Sequence, residues 1–151
     1  MSSPTWAGCA FPSDLLYDVD FDVWVRLEGR DAVIGMTDVA QTRCGRLVQL
    51  SWKQVGRRVA RGRPLCVIES SKWVGPVQSP LTGTLVANNQ ARFEQDVAIA
   101  NRDPYGDGWL VRLQVDDFDG EKSNLCGGEA AFEHYRRVID EQEIRCFRCA
   151  D

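Results

Sequence analysis

The chain reads as a mainly β domain, a flattened barrel or sandwich with one short helix and one C-terminal helix. Three observations predict this. Residues 17–27 place Val19, Phe21, Val23, Val25 and Leu27 between polar neighbours, the period-two pattern of a strand with one buried face. Short β-branched runs recur between Gly- and Pro-rich punctuation, as in Leu65-Cys66-Val67-Ile68. Gly45-Arg46-Leu47-Val48 and Gly83-Thr84-Leu85-Val86 form a weak internal repeat, which suits two related halves with no edge left open.

Length and composition agree. The 151 residues suit one domain with a real core. Apolar residues make up 44% and charged residues 26%, which excludes a disordered chain. A net charge of −4 argues against a nucleic-acid partner. No apolar run approaches the roughly 20 residues that span a bilayer, so no membrane partner is expected. Met1-Ser2-Ser3-Pro4-Thr5-Trp6 lacks the basic and apolar regions of a secretory signal, so a cytoplasmic location is the default.

Taken in order, residues 1–16 read as an aromatic and apolar arm lying on the domain, with Cys9 on a surface. The strand of residues 17–27 follows. Glu28-Gly29-Arg30-Asp31 is a hairpin turn, and Ala32-Val33-Ile34-Gly35-Met36 the returning strand. Thr37 or Asp38 caps a short helix through Arg43, which Gly45 closes. Leu47 begins the next strand. Val55-Gly56 and the stretch from Ala60 to Pro64 are turn signals, and Leu65 to Ile68 is a buried strand.

The next turn carries the most informative residue. Lys72 stands in Glu69-Ser70-Ser71-Lys72-Trp73-Val74-Gly75-Pro76, where Gly75 and Pro76 stop a helix and limit a strand to an edge. A lysine on such a turn presents a flexible amine to a modifying enzyme. An ordinary solvated turn lysine fits the local sequence equally well. After Gly83 comes the strand Thr84-Leu85-Val86-Ala87. Asp103-Pro104-Tyr105-Gly106-Asp107-Gly108 is a dense structural turn; no P-loop lysine follows it. It leads into a strand over residues 109–115. Residues 116–128 read as a connector. Ala131, Phe132, Tyr135, Val138 and Ile139 then lie at helical spacing over residues 129–141, a terminal amphipathic helix.

Enzymatic machinery is sparse. His134 is the only histidine, so a Ser-His-Asp or Cys-His hydrolase has one possible base. Six cysteines, at positions 9, 44, 66, 126, 146 and 149, are expected to be mostly thiols in a reducing cytoplasm. Cys66 reads as a small buried hydrophobe and Cys44 as a helix-end residue. Cys146-Phe147-Arg148-Cys149 has CxxC spacing. A zinc site would need two more ligands, so a loosely packed tail over residues 142–151 is preferred, with a redox pair as the alternative.

Three blocks resemble the glycine cleavage H-protein family. Glu69-Ser70-x-Lys72 followed by Pro80-x-x-Gly83 is similar to its lipoyl-lysine hairpin. Trp24-Val25-Arg26 before Ile34-Gly35-Met36-Thr37-Asp38-Val39-Ala40-Gln41, and Asn101-x-Asp103-Pro104-Tyr105-Gly106-x-Gly108-Trp109-Leu110, match two further family motifs. The resemblance covers roughly residues 14–140 and implies a barrel-sandwich hybrid lipoyl domain over residues 17–141. It implies covalent lipoate on Lys72, with Glu69, Ser70, Ser71, Trp73 and Gly83 as its hairpin context. It also implies a carrier, not an enzyme, acting with a lipoate-attaching enzyme. Biotinyl domains flank their lysine with methionines, and lipoyl domains of oxo-acid dehydrogenases use Asp and Ala; neither pattern is present.

The chain departs from the family in places. Asp22-Val23 replaces the usual His-Glu, Trp73 follows the lysine instead of a small residue, and residues 53–63 are basic where the family is acidic. A basic patch changes partner choice. Together with Cys9, these departures resemble the lipoate-binding proteins of the heterodisulfide-reductase-like pathway of sulfur oxidation. That finer resemblance implies a sulfur species carried on the dithiolane between sulfur-transfer proteins and a heterodisulfide-reductase-like complex. The alternatives are an H protein carrying an aminomethyl group among the glycine-cleavage enzymes, and a non-lipoylated binding module of the same fold. Least favoured is an enzyme using Cys9 or Cys149 as nucleophile, for which no oriented base is evident.

Overall fold

The computed structural model describes residues 3–147. Its arm contains two short strands, β1 (Thr5–Trp6) and β2 (Cys9–Ala10), paired as a hairpin. The expected strand over residues 17–27 is two strands, β3 (Leu16–Asp18) and β4 (Val23–Glu28). The break has a local cause. Asp18 Oδ1 accepts the amides of Asp20 and Phe21, and Asp22 takes a left-handed φ of 57°. The aspartates that looked like the polar half of an alternation are turn formers.

From Glu28 the chain turns through Gly29 (φ 65°) into β5 (Asp31–Met36). Helix α1 (Asp38–Cys44) follows, and the Thr37 hydroxyl accepts the Ala40 amide at its start. Gly45, with φ 80°, ends it as the sequence indicates. Next come β6 (Leu47–Trp52), β7 (Arg58–Val59), β8 (Pro64–Ser70), β9 (Val74–Gln78) and β10 (Gly83–Asn88). Two short helices, α2 (Gln90–Gln95) and α3 (Ile99–Arg102), precede β11 (Val111–Val115). The connector contains α4 (Phe118–Glu121), a 3-10 turn (Lys122–Asn124) and β12 (Cys126–Gly127). Helix α5 (Gly128–Gln142) is the last element, and the described chain runs on to residue 147.

The larger sheet runs β12-β3-β4-β5-β11-β10-β7 and the smaller one β6-β8-β9. They face each other as a flattened sandwich, not a closed barrel, so β6 and β9 remain edges of the smaller sheet. Pro76 sits on the β9 edge, where its missing N–H interrupts no ladder.

Two apolar clusters hold the chain together. The first fills the space between the sheets, with Val23, Val25, Ile34, Leu65, Ile68, Leu85 and Leu113. The second lies behind β4 and β5, where Phe11, Tyr17, Trp24, Val33, Tyr135 and Ile139 pack under the arm and α5. The start of β4 is therefore buried on both faces, not half-buried as its alternation predicts. Trp24 is fully buried, donates its indole N–H to Pro104 O at 2.9 Å, and lies over Gly35, where a Cβ would fall 2.6 Å from the ring. The motif pairing of Trp24 with Gly35 is thus a packing requirement.

Among the described cysteines, one pair departs from the expectation of thiols. Cys9 and Cys146 form a disulfide across 137 residues. Cys9 is fully buried, not on a surface, and Cys146 is 6% exposed, so this part of the tail is not loosely packed. Cys149, the second cysteine of the CxxC, lies outside the described residues. Cys44, Cys66 and Cys126 are thiols. No helix among the described residues is long and apolar enough to cross a membrane.

Candidate functional site

The turn between β8 and β9 is built by one serine. Ser70 donates its amide to Trp73 O at 2.8 Å, closing the turn. Its buried hydroxyl donates to Cys44 O at 2.6 Å and accepts the amides of Lys72 (3.2 Å) and Trp73 (3.0 Å). Ser71 donates its amide to Arg46 O at 3.0 Å. The loop is thereby tied to the C-terminal end of α1. Its side chains at Ser71, Lys72 and Trp73 remain exposed.

Lys72 leans on that helix end. A Cβ at Gly45 would lie 2.7 Å from Lys72 Cε, so Gly45 both terminates α1 and makes room for the lysine stem. Trp73, 45% exposed, folds along β9 over Gly75, where a Cβ would sit 2.2 Å from its ring. Glu69 is exposed one residue before the buried Ser70, cross-strand from Gln49 and Val74. The structure does not bring Gly83 to this turn. Gly83 opens β10 beside Val115 and Val59, with so close an approach that a Cβ would meet Gln114 O at 2.2 Å. Its place in the motif reflects strand packing, not contact with the lysine.

Beside the turn lies a cleft of about 280 Å³. Apolar residues from five elements line it, namely Val23 of β4, Met36 of β5, Ala40 of α1, Ile68 of β8 and Val77 of β9, with Trp73 as a wall. Its polar side is Asp22, Arg43 and Cys44. Asp22 receives Arg43 Nη1 on Oδ2 and the Tyr135 hydroxyl on Oδ1, both at 2.9 Å. Arg43 also donates to Gln142 Oε1 at 2.8 Å. Burial raises the Asp22 carboxyl above its ordinary range, against the lowering by Tyr135 and Arg43. Burial likewise pushes the Cys44 thiol up to about 11, opposed by the nearby positive charge of Lys72. Asp22, Arg43 and Tyr135 carry no sequence signal as a group, because residues 22, 43 and 135 meet only in the fold.

The basic stretch from Lys53 to Arg63 is less free than its composition implies. Arg58 pairs with Asp116. Arg61 pairs with the buried Asp18 at 2.9 Å and covers the Phe21 ring. His134 packs edge-on against Tyr135, 5.3 Å between ring centroids.

An exposed lysine on a fixed β-turn beside a small apolar cleft is the arrangement by which a carrier domain can present a side chain. The glycine cleavage H-protein model matches residues 15–138, and the chain belongs to that family. "Glycine cleavage system H protein 3" of Aquifex aeolicus is 41% identical over 148 residues, covering 95% of this chain and 91% of the relative. "Probable glycine cleavage system H protein 2" of Sulfolobus acidocaldarius is 39% identical over 145 residues, with 94% and 96% covered. The crystal structure of a glycine cleavage system H protein from Mycobacterium marinum superposes with a TM-score of 0.67 at 28% identity. It covers 82% of this chain and 98% of that one. Proteins of this family are carriers, and their cofactor is lipoate held covalently on a lysine.

Proposed function

We propose that this chain is a lipoyl carrier with Lys72 as its attachment point, and that it serves as an H protein carrying an aminomethyl group among the glycine-cleavage enzymes. The names of its relatives favour that cargo. The observation that carries the attachment is the Ser70-built turn, which holds the Lys72 backbone still and leaves its amine exposed. The residues fit the group. Ser70 and Ser71 fix the turn, Gly45 clears the lysine stem, and the cleft walled by Trp73 offers an apolar resting place next to the amine. When bound, lipoate supplies a disulfide that opens and recloses. The chain itself contributes attachment, shielding from water and a surface for partners, including the lipoate-attaching enzyme. In this reading residues 1–16 are an arm and residues 142–151 a tail around the carrier domain of residues 17–141, and the protein works in the cytoplasm.

A second cargo has specific support. Trp73 after the lysine, Asp22-Val23 before Trp24 and the Cys9–Cys146 disulfide fit a carrier of sulfur species between sulfur-transfer proteins and a heterodisulfide-reductase-like complex. The two readings separate in reconstitution. Lipoylated protein supplied to glycine-cleavage enzymes should sustain aminomethyl transfer. No transfer there, with turnover by sulfur-pathway enzymes, would move the assignment to the second cargo.

A further inference from the structure

The Cys9–Cys146 disulfide stands behind α1, at the opposite end of that helix from the lysine turn. Three sets of contacts meet there. Cys146 donates its amide to Ala7 O at 3.0 Å, and its Sγ lies 3.7 Å from Asp38 O at the first residue of α1. The arm holds the same residue: Ala10 donates its amide to Asp38 Oδ2 at 2.8 Å, and Tyr105 bridges Ala10 O and the Asp38 amide. Phe11 of the arm stacks on Tyr135 of α5 with ring centroids 5.1 Å apart.

From this knot two routes lead to the cleft. Along α1, Asp38 accepts from Gln41, and Asn101 donates to both Gln41 Oε1 and Gly45 O, the residue against the Lys72 stem. Along α5, Tyr135 and Gln142 grip Asp22 and Arg43 at the cleft wall. The arm strands are only two residues each. So short a hairpin has few contacts of its own, and the disulfide is its one covalent tie to the tail.

We propose that the Cys9–Cys146 disulfide is a second redox site of this protein, reduced by dithiols, and that its state sets how firmly α1 and α5 hold the cleft beside Lys72. The site stands independently of the lipoyl reading; its bearing on a lipoyl arm rests on that reading. A dithiol thiolate attacks Sγ of Cys146, the less buried of the two residues, and Cys9 leaves as a thiolate. The second thiol of the reductant attacks the mixed disulfide and frees Cys146. The reductant becomes a cyclic disulfide, and its two protons pass to the two cysteines. A monothiol lacks the internal second step, so a dithiol is the matched class of reductant.

The test uses the full chain as a Lys72→Arg, Cys149→Ser variant, so that neither lipoate nor another pairing of Cys146 enters the readout. Thiols are trapped after purification without reductant, and again after dithiothreitol or an equal concentration of a monothiol. Amide exchange is then followed in both states. The expected result is that Cys9 and Cys146 are blocked at first and freed at least about tenfold faster by the dithiol. Exchange over residues 5–11, 38–45 and 135–146 should then rise at least about tenfold, with β4, β5 and β11 changed less than about twofold. Cys9→Ser in the same background should reproduce the reduced pattern; if it does not fold, the reduced chain alone carries the comparison. Free Cys9 and Cys146 at the outset, equal rates with mono- and dithiol, or unchanged exchange over residues 38–45 would each overturn the proposal.

Discussion

The first residue of α1 is enclosed: Asp38 is fully buried, its carboxylate takes the Ala10 amide and Gln41, and the disulfide and Tyr105 lie against its backbone. At the other end of the same helix, Cys44 O and Gly45 support a turn whose side chains at residues 71–73 are exposed and whose backbone is held by the Ser70 hydroxyl and the amides of Ser70 and Ser71. The contrast separates two tasks. The enclosed end fixes where the helix sits. The open end uses that fixed helix to hold the backbone of Lys72 while leaving its amine reachable. On the proposed carrier reading both are needed, because an attaching enzyme and the partners would have to meet the same lysine in the same place.

That contrast can be broken most completely at the lysine. Lys72→Arg should abolish lipoate attachment, read by intact mass, while thermal stability stays within about 0.5 kcal/mol, since the side chain is exposed. Trp24→Ala attacks the enclosed side. It should cost about 3–5 kcal/mol in denaturant unfolding, through the cavity left over Gly35. Ser70→Ala tests the open end. Loss of its hydroxyl contacts should cost about 1–3 kcal/mol and slow lipoate attachment more than Trp24→Ala does under conditions where both variants are folded. Tyr135→Phe should cost about 1 kcal/mol by removing the donor to Asp22.

A pH series sharpens the comparison with the smallest effect. The raised Asp22 carboxyl binds its proton more tightly in the folded chain than in the unfolded one. Its stabilising contribution is fully present below the unfolded carboxylate pKa and is lost as pH rises through the folded value. Wild type should therefore lose more of this contribution than Asp22→Asn on titration upward through that window, in urea unfolding at each pH. In the thiol range, Cys44, pushed up to about 11, and Cys66, pushed up to about 12, stay protonated at pH 8. Burial raises the Cys126 thiol as well, but Cys126 is only half-buried, so alkylation at that pH should reach it first.

The lysine turn was legible because its signals are local: a short apolar strand, a polar turn with Lys72, then Gly75 and Pro76. The cap of α1 at Thr37 or Asp38, which the structure assigns to Thr37, and its closure by Gly45 are legible for the same reason. The break between β3 and β4 was not, because Asp18 and Asp22 serve an alternation and a turn equally well in sequence. The disulfide was hidden by its 137-residue span and by the presumption of reduced thiols. The motif groups Gly83 with the lysine, although its role is the close pairing of β10 with β11. The cleft was invisible for a more general reason: Asp22, Arg43 and Tyr135 are brought together only by packing α5 and α1 on the sandwich.

The most direct test of the carrier assignment is the intact mass of the protein from its native host, with peptide mapping across Lys72. A single lipoyl increment on Lys72 is the predicted result. An unmodified Lys72 in cells whose lipoate-attaching enzyme is active would contradict the assignment and leave a binding module of the same fold.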